Sequence, residues 1–294
     1  MAFSKIFIKT LFPMSKLIVV MYHEVNREVI KPLTNSTCTT LSNFEKHLEF
    51  YKDNFSIISA NNFEIDTEKT KLLITFDDGY IGNYLFAAPL LKKYNIPALF
   101  FITTGFINRN IKSWVFILER MTKIQLILFL LKYNPLLFVL AIFKKNVLCR
   151  FIKRNFKYSF IKKLNQIDID DGSLYLDWDQ ILSLQNDNLF EIGAHTISHP
   201  ILSFLNKKEQ SSEIIHSLNQ IEDKTGIRVK HFAYPFGKRN DFNEVSKNIC
   251  NDLGVFAYTT ERGNNSSFDK LSIERIGVHN ETISELSKKI DKYL

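Results

Sequence analysis

Short runs of β-branched and aromatic residues alternate along this chain with stretches of helical periodicity. That alternation restricts it to folds built from βα units around a parallel sheet. The expected strands are Leu17–Tyr22, Leu72–Phe76, Ala98–Thr103, Phe190–Ala194, His231–Tyr234, Val255–Thr259 and Ile273–Val278. Helices are expected over Leu41–Asp53, Asn83–Tyr94, Asp179–Gln185, Lys207–Thr225, Asp241–Leu253 and Thr282–Tyr293. Seven strands of this kind predict a distorted (β/α) barrel over residues 17–294, preceded by an N-terminal extension over 1–16. With 45% hydrophobic residues the chain can bury a sizeable core, which excludes wholesale disorder.

Residues 108–175 break the rhythm, because an ordinary βα connection needs only a few residues. They read as a helical insertion after the third strand. Its apolar core, 124–143, is interrupted by Gln125, Lys132, Asn134 and Pro135, so a helical hairpin turning near Asn134-Pro135 is expected rather than a transmembrane pass. The charge is concentrated here. The chain is +7 overall, yet eleven of its 38 basic residues and none of its 31 acidic ones lie between Arg120 and Lys163, leaving 27 basic against 31 acidic elsewhere. Three readings follow: extra helices packed on the barrel, a lid over a groove, or an interfacial hairpin meeting an anionic membrane through 120–163. Nucleic-acid binding is not expected, since no recognition motif accompanies the charge. Cys38, Cys149 and Cys250 are far apart, which suggests neither a disulfide framework nor a thiolate zinc site. Phe12-Pro13 interrupts the apolar stretch after Lys5 and Lys9 without a small-residue cleavage site, so a cytoplasmic protein is expected, peripheral on the inner membrane face in the third reading.

Three motifs follow strand ends, where barrel enzymes carry their chemistry. In Thr75-Phe76-Asp77-Asp78-Gly79, adjacent carboxylates repel unless a cation or proton sits between them; the alternative is a turn that caps the next helix. In His195-Thr196-Ile197-Ser198-His199-Pro200, two imidazoles four apart can meet on one side of a helical turn. With Asp78 they would make a two-His, one-carboxylate metal site with open positions. In Phe232-Ala233-Tyr234-Pro235-Phe236-Gly237, Pro235 lacks a donor, so the Phe236 N–H is an oxyanion candidate and Tyr234 to Phe236 a substrate loop; a plain β-turn is the alternative.

In this order and spacing the three motifs resemble those of the polysaccharide deacetylases of carbohydrate esterase family four, which include the chitooligosaccharide deacetylases. The resemblance covers roughly residues 17–107 and 174–278. It implies Asp77 as general base and Asp78, His195 and His199 as ligands of one divalent ion, with zinc expected. The substrate implied is an N-acetylated amino sugar in a polysaccharide, oligosaccharide or lipid-linked glycan. Two features differ from the family. Ala233 stands where the family often has an arginine, and Arg275 near the last strand is the expected substitute for orienting Asp77. The family's late Leu-x-His motif, source of the general acid, is not evident, although His279 lies in the region. Met21-Tyr22-His23-Glu24-Val25 resembles the Tyr-His motif of branches that modify exopolysaccharides, and His23 is the preferred acid. His47, His216 and His231 follow no strand-end motif and receive no role. Rival readings are an amidohydrolase on a non-sugar amide and an inactive glycan- or membrane-binding protein on the same fold.

Overall fold

The computed structural model describes residues 16–29, 37–65, 67–133, 163 and 174–294. Its centre is a curled parallel sheet. Strands β1 (Leu17–Tyr22) and β5 (Lys71–Phe76) are six-residue runs buried along their whole length, as expected of parallel strands covered on both faces. They pair in register from Leu17 opposite Lys71 to Tyr22 opposite Phe76. With β6 (Ala98–Ile102), β7 (Phe190–Ala194), β8 (His231–Ala233), β9 (Phe256–Tyr258) and β10 (Ile276–Gly277), the order is β10-β1-β5-β6-β7-β8-β9. The two-residue β4 (Ser56–Ile57) pairs with the start of β5, before β6 joins at Thr75.

The ends of the sheet meet at one seam. Ile273 bridges to Tyr258 of β9, and three residues later Ile276 pairs with Val20 of β1. This division shortens the last strand relative to the expected Ile273–Val278, because the run serves two neighbours in turn. Side-chain alternation sorts the strands into two cores. Val19, Leu73, Leu99, Phe101 and Tyr258 form an inner cluster, while Ile18, Val20, Tyr22, Ile74 and Phe100 pack outward with the helices.

The outer helices include α1 (Leu41–Asn54), α2 (Ala88–Tyr94), α6 (Trp178–Gln185), α7 (Lys207–Thr225), α8 (Glu244–Leu253) and α9 (Ile283–Ile290). Helix α7 matches its expected bounds because both ends are written locally: Asn206 and Glu209 form a capping box, and Gly226 closes the other end at φ 71°. The helix expected over Asn83–Tyr94 instead opens as a π-helical turn, Asn83–Ala87, before α2. Strands β2 (Glu24–Asn26) and β3 (Cys38–Thr40), a short parallel ladder beside the mouth of β1, have no counterpart in the sequence reading.

After β6 comes the short α3 (Thr104–Ile107), and the segment 108–175 then begins with two described helices, α4 (Trp114–Arg120) and α5 (Lys123–Tyr133). The turn expected at Asn134-Pro135, the basic stretch 144–162, Cys149 and the extension 1–15 lie outside the described residues. Among the described residues no helix is long and apolar enough to cross a membrane. Cys38 and Cys250 are buried.

Candidate active site

The C-terminal ends of β1, β5, β7 and β8 converge on one cluster of ionisable groups. After β5 the chain turns sharply, with Asp78 and Gly79 both left-handed at φ 73° and 78°. Such a conformation strains a non-glycine residue, and its surroundings must hold it there. The holding comes from the returning end of the insertion: Leu176 N donates to Gly79 O at 2.9 Å, Ile81 N donates to Leu174 O at 2.9 Å, and Tyr80 bridges Tyr175 antiparallel. The two tyrosine rings stack at 5.2 Å, and Arg109 donates to Tyr175 O at 2.7 Å.

After β7 the chain forms a loop rather than the helical turn expected from the spacing of the two histidines. Thr196 and His199 are left-handed, at φ 66° and 53°. Thr196 Oγ1 accepts from His199 N at 3.0 Å. From α7, Glu213 accepts from Ile197 N at 3.0 Å, Ser198 N at 2.9 Å and Ser198 Oγ at 2.6 Å. The loop thus brings the two imidazoles to a centroid distance of 4.8 Å.

Asp78 Oδ1 lies 3.6 Å from His195 Nε2 and 3.4 Å from His199 Nε2. Ligands about 2.1 Å from a tetrahedral ion stand roughly 3.4 Å apart, so the three atoms match a metal site. Two further observations fit a cation. Asp78 Oδ1 is buried without a hydrogen-bond partner, and the His195 Nδ1 lies 2.8 Å from Ala233 O, which fixes the tautomer with Nε2 free to ligate. Burial, and then the charge of Asp77, push the Asp78 carboxyl up to about 8, so a bound cation is what would keep it ionised near neutrality.

Asp77 has a different partner. Arg275, fully buried, grips it with both arms, Nη1 to Oδ1 at 2.7 Å and Nη2 to Oδ2 at 2.8 Å. Its Nε donates to Thr259 O at 2.8 Å, and its guanidinium lies 5.3 Å from the Phe101 ring centre. Burial alone would raise the Asp77 carboxyl, but the guanidinium, together with His195 and His23, outweighs it and holds the group down at about 2. Ala233 therefore leaves no guanidinium missing: the seam segment supplies one from across the barrel.

The two candidate acids differ in their surroundings. Burial pushes His23 down to about 4, and the charges it feels are those of Asp77, His279, Arg275 and His195. His279 is also lowered by burial, but it answers chiefly to Glu281, Lys289 and Arg262 on the outer side. Each has an Nδ1 that is buried without a hydrogen-bond partner. His47 bonds Tyr22 and Glu281, His231 bonds Tyr258, and His216 bonds Ser212, all away from the cluster.

The substrate loop divides. Tyr234 turns away: its ring stacks on Phe242 at 4.1 Å, its hydroxyl donates to Leu271 O at 3.1 Å, and its N–H is spent on Tyr258 O. It supports the loop instead of reaching a substrate. Pro235 O accepts from Gly237 N at 2.7 Å, which leaves Phe236 as the loop residue facing the cluster. Phe236 is left-handed at φ 60°, and its ring sits 4.7 Å from His199 and 5.9 Å from Trp114 of α4.

Glu213, Trp114 and the Tyr80–Tyr175 stack escape a reading of the sequence, because each reaches the site from an element with no local motif. Glu213 yields a measurable expectation. Replacing it with alanine frees the histidine loop and should weaken zinc binding by about 10–100-fold, the usual effect of losing an outer-shell partner. Calorimetric titration of the metal-free variant with zinc checks this, with circular dichroism verifying the fold; wild-type affinity would remove Glu213 from this role.

Known proteins share this fold. Residues 64–257 match the family described as polysaccharide deacetylase. A putative polysaccharide deacetylase of Bacillus subtilis (strain 168), YxkH, is 34% identical over 102 residues, 32% of this chain; the match spans about a third (34%) of that relative's length. Among solved structures, the Streptococcus pyogenes deacetylase PplD in complex with acetate superimposes with a TM-score of 0.62 at 19% identity, covering 93% of this chain and 97% of that one. IcaB from Ammonifex degensii gives a TM-score of 0.61 at 19% identity, covering 90% and 92%.

Proposed function

Because the chain belongs to the polysaccharide deacetylase family, whose members are hydrolases of non-peptide carbon–nitrogen bonds, we propose that it removes the acetyl group from an N-acetylated sugar of a glycan, using one divalent ion, zinc. The observation that carries this reading is the juxtaposition of two aspartates with opposite environments. Asp78 lies among two imidazoles with an oxygen lacking a hydrogen-bond partner, while Asp77 beside it is held ionised by Arg275.

When bound, the ion supplies a Lewis acid for the acetyl carbonyl and acidifies a water. The chain's own residues supply the rest. Asp78, His195 and His199 hold the ion. Asp77, charged and fixed in direction by its two hydrogen bonds to Arg275, accepts the proton as the water oxygen bonds to the carbonyl carbon. The Phe236 N–H is the donor this reading assigns to the oxygen on which negative charge develops, and a donor of this kind contributes about 3 kcal/mol to lowering a barrier. As the carbon–nitrogen bond breaks, the proton returns to the amine. His23 is the carrier its neighbours favour: neutral at rest, it takes the proton from Asp77 and passes it on.

Acetate release from N-acetylglucosamine oligomers and from N-acetylated polymers tests the reading. Release should stop on chelation and return with added zinc. Undiminished release in chelator would overturn the metal, and release from simple amides but from no glycan would overturn the substrate class.

A further inference from the structure

Exposed large apolar side chains are scattered singly over most soluble proteins, and most of those among the described residues here are scattered in the same way. Helix α5 is the exception. Ile124, Ile127, Leu128 and Leu131 are 71%, 36%, 61% and 44% exposed, and their spacing places them on one stripe. The other side of the helix is equally apolar: Leu126, Phe129 and Leu130 are buried against the protein. One face therefore anchors α5 while the other presents a row of aliphatic groups outward.

The flanks of the stripe are basic. Arg120 and Lys123 precede it and Lys132 follows its last member, and the sequence has no acidic residue from Arg120 to Lys163. The chain's own next segment complements this surface only in part: 135–143 is apolar, but between residues 134 and 163 the chain adds eight further basic residues and no carboxylate to answer the cations at the stripe's flanks. A second copy would bring the same cations. An occupant that offers hydrocarbon to the stripe and negative charge to its flanks satisfies both features.

We infer that the exposed face of α5 docks on an anionic lipid surface, with Ile124, Ile127, Leu128 and Leu131 at the acyl boundary and Arg120, Lys123 and Lys132 at the level of the phosphates. The segment that carries this surface reaches the proposed catalytic cluster at both of its described ends. Trp114, at the start of the preceding helix, packs near Phe236, and the insertion's far end is pinned to Gly79 and Ile81. Docking brings the mouth of the barrel to glycans carried at that membrane. The proposal does not depend on the deacetylase reading, because its readout is partitioning.

The test is co-sedimentation of the full chain with vesicles of phosphatidylcholine alone and of phosphatidylcholine mixed with phosphatidylglycerol. The wild type should partition onto the anionic vesicles, gaining about fivefold in affinity for each basic residue that reaches the surface and losing it as salt rises. The double variant Ile124→Gln, Leu128→Gln keeps helix-forming residues and should lose tenfold or more of that binding, with an unchanged thermal midpoint and unchanged acetate release from a soluble oligosaccharide. Absence of wild-type binding, or equal binding by the variant, overturns the proposal. A lowered midpoint in the variant without a change in partitioning assigns the stripe to the chain's own residues, and a concentration-dependent dimer lost in the variant assigns it to a second copy; either also overturns it.

Discussion

Replacing Arg275 with methionine is expected to cost about 3–5 kcal/mol of folding stability and to abolish turnover in the same step. The side chain is fully buried and makes both hydrogen bonds that fix Asp77. Methionine fills much of the volume but leaves a carboxylate inside the barrel without its counter-charge. Burial, which in the wild type is outweighed by the guanidinium together with His195 and His23, would then raise the carboxyl towards and above its ordinary value, so that less of the base is ionised and nothing fixes its direction. The pH dependence reverses accordingly. In the wild type Asp77 is depressed from 3.8 to about 2, so its contribution is present above 3.8 and lost as pH falls towards 2. In the variant the raised carboxyl favours the folded state only while protonated, so stability should fall as pH rises out of the acid range. Urea unfolding at acid and neutral pH, with acetate release measured in parallel, reads both effects. Wild-type stability and activity would show that something other than Arg275 holds Asp77. Lysine should rescue poorly, since a single ammonium cannot reproduce the two-armed grip or the contact with Phe101.

The residues proposed to do the chemistry are legible because they sit next to strands that are themselves legible. Runs such as Leu17–Tyr22 and Ala98–Ile102 are buried on both faces, so they stand out as continuous apolar segments whose ends fall where the strands end, and Phe190–Ala194 departs from this only at Glu191. Asp77, Asp78, His195 and His23 are then placed by counting onward from those ends. Arg275 could be singled out only because Ala233 leaves a position without the expected guanidinium; its contact with Asp77, 198 residues away, exists only in the closed sheet. The last strand misleads, since one β-like run is divided between Tyr258 on one side and Val20 on the other.

Other features had no local signal. Two histidines four apart suggest a helical turn, and only the left-handed Thr196 and His199 reveal a loop; a β-branched residue in that conformation is among the least expected choices. Glu213 reaches that loop from the middle of α7, where a glutamate reads as ordinary helix surface. Tyr234 follows a strand end like the other candidates, but its partners Phe242 and Leu271 lie on the outer side, so its role is to brace the loop. The insertion's basic character was plain in the sequence. Which of its apolar residues face outward was not, because α5 is apolar on both sides and periodicity alone does not separate them.

Changing Asp77 to asparagine should lower acetate release by about a hundred- to ten-thousand-fold, the range over which a positioned base contributes, while zinc binding persists. The two outcomes separate because Asp77 contributes no ligand atom to the cluster of Asp78, His195 and His199. Removing its charge has two opposed effects there. It takes away an anion that attracts the cation, and it relieves the repulsion that, after burial, pushes the Asp78 carboxyl up to about 8, so that fewer protons compete with the ion. Zinc affinity should therefore stay within about tenfold of the wild type, since the effects oppose each other and each is a single charge screened by Arg275. Stability should fall as in the arginine variant, because a buried guanidinium now faces an amide, so both assays belong at a temperature where the variant is folded. Calorimetric zinc titration and acetate release on the same preparation decide the outcome. Full turnover would remove Asp77 from the role of base, whereas lost zinc binding with a native circular dichroism spectrum would move it into the metal site and leave the base to be sought in His23.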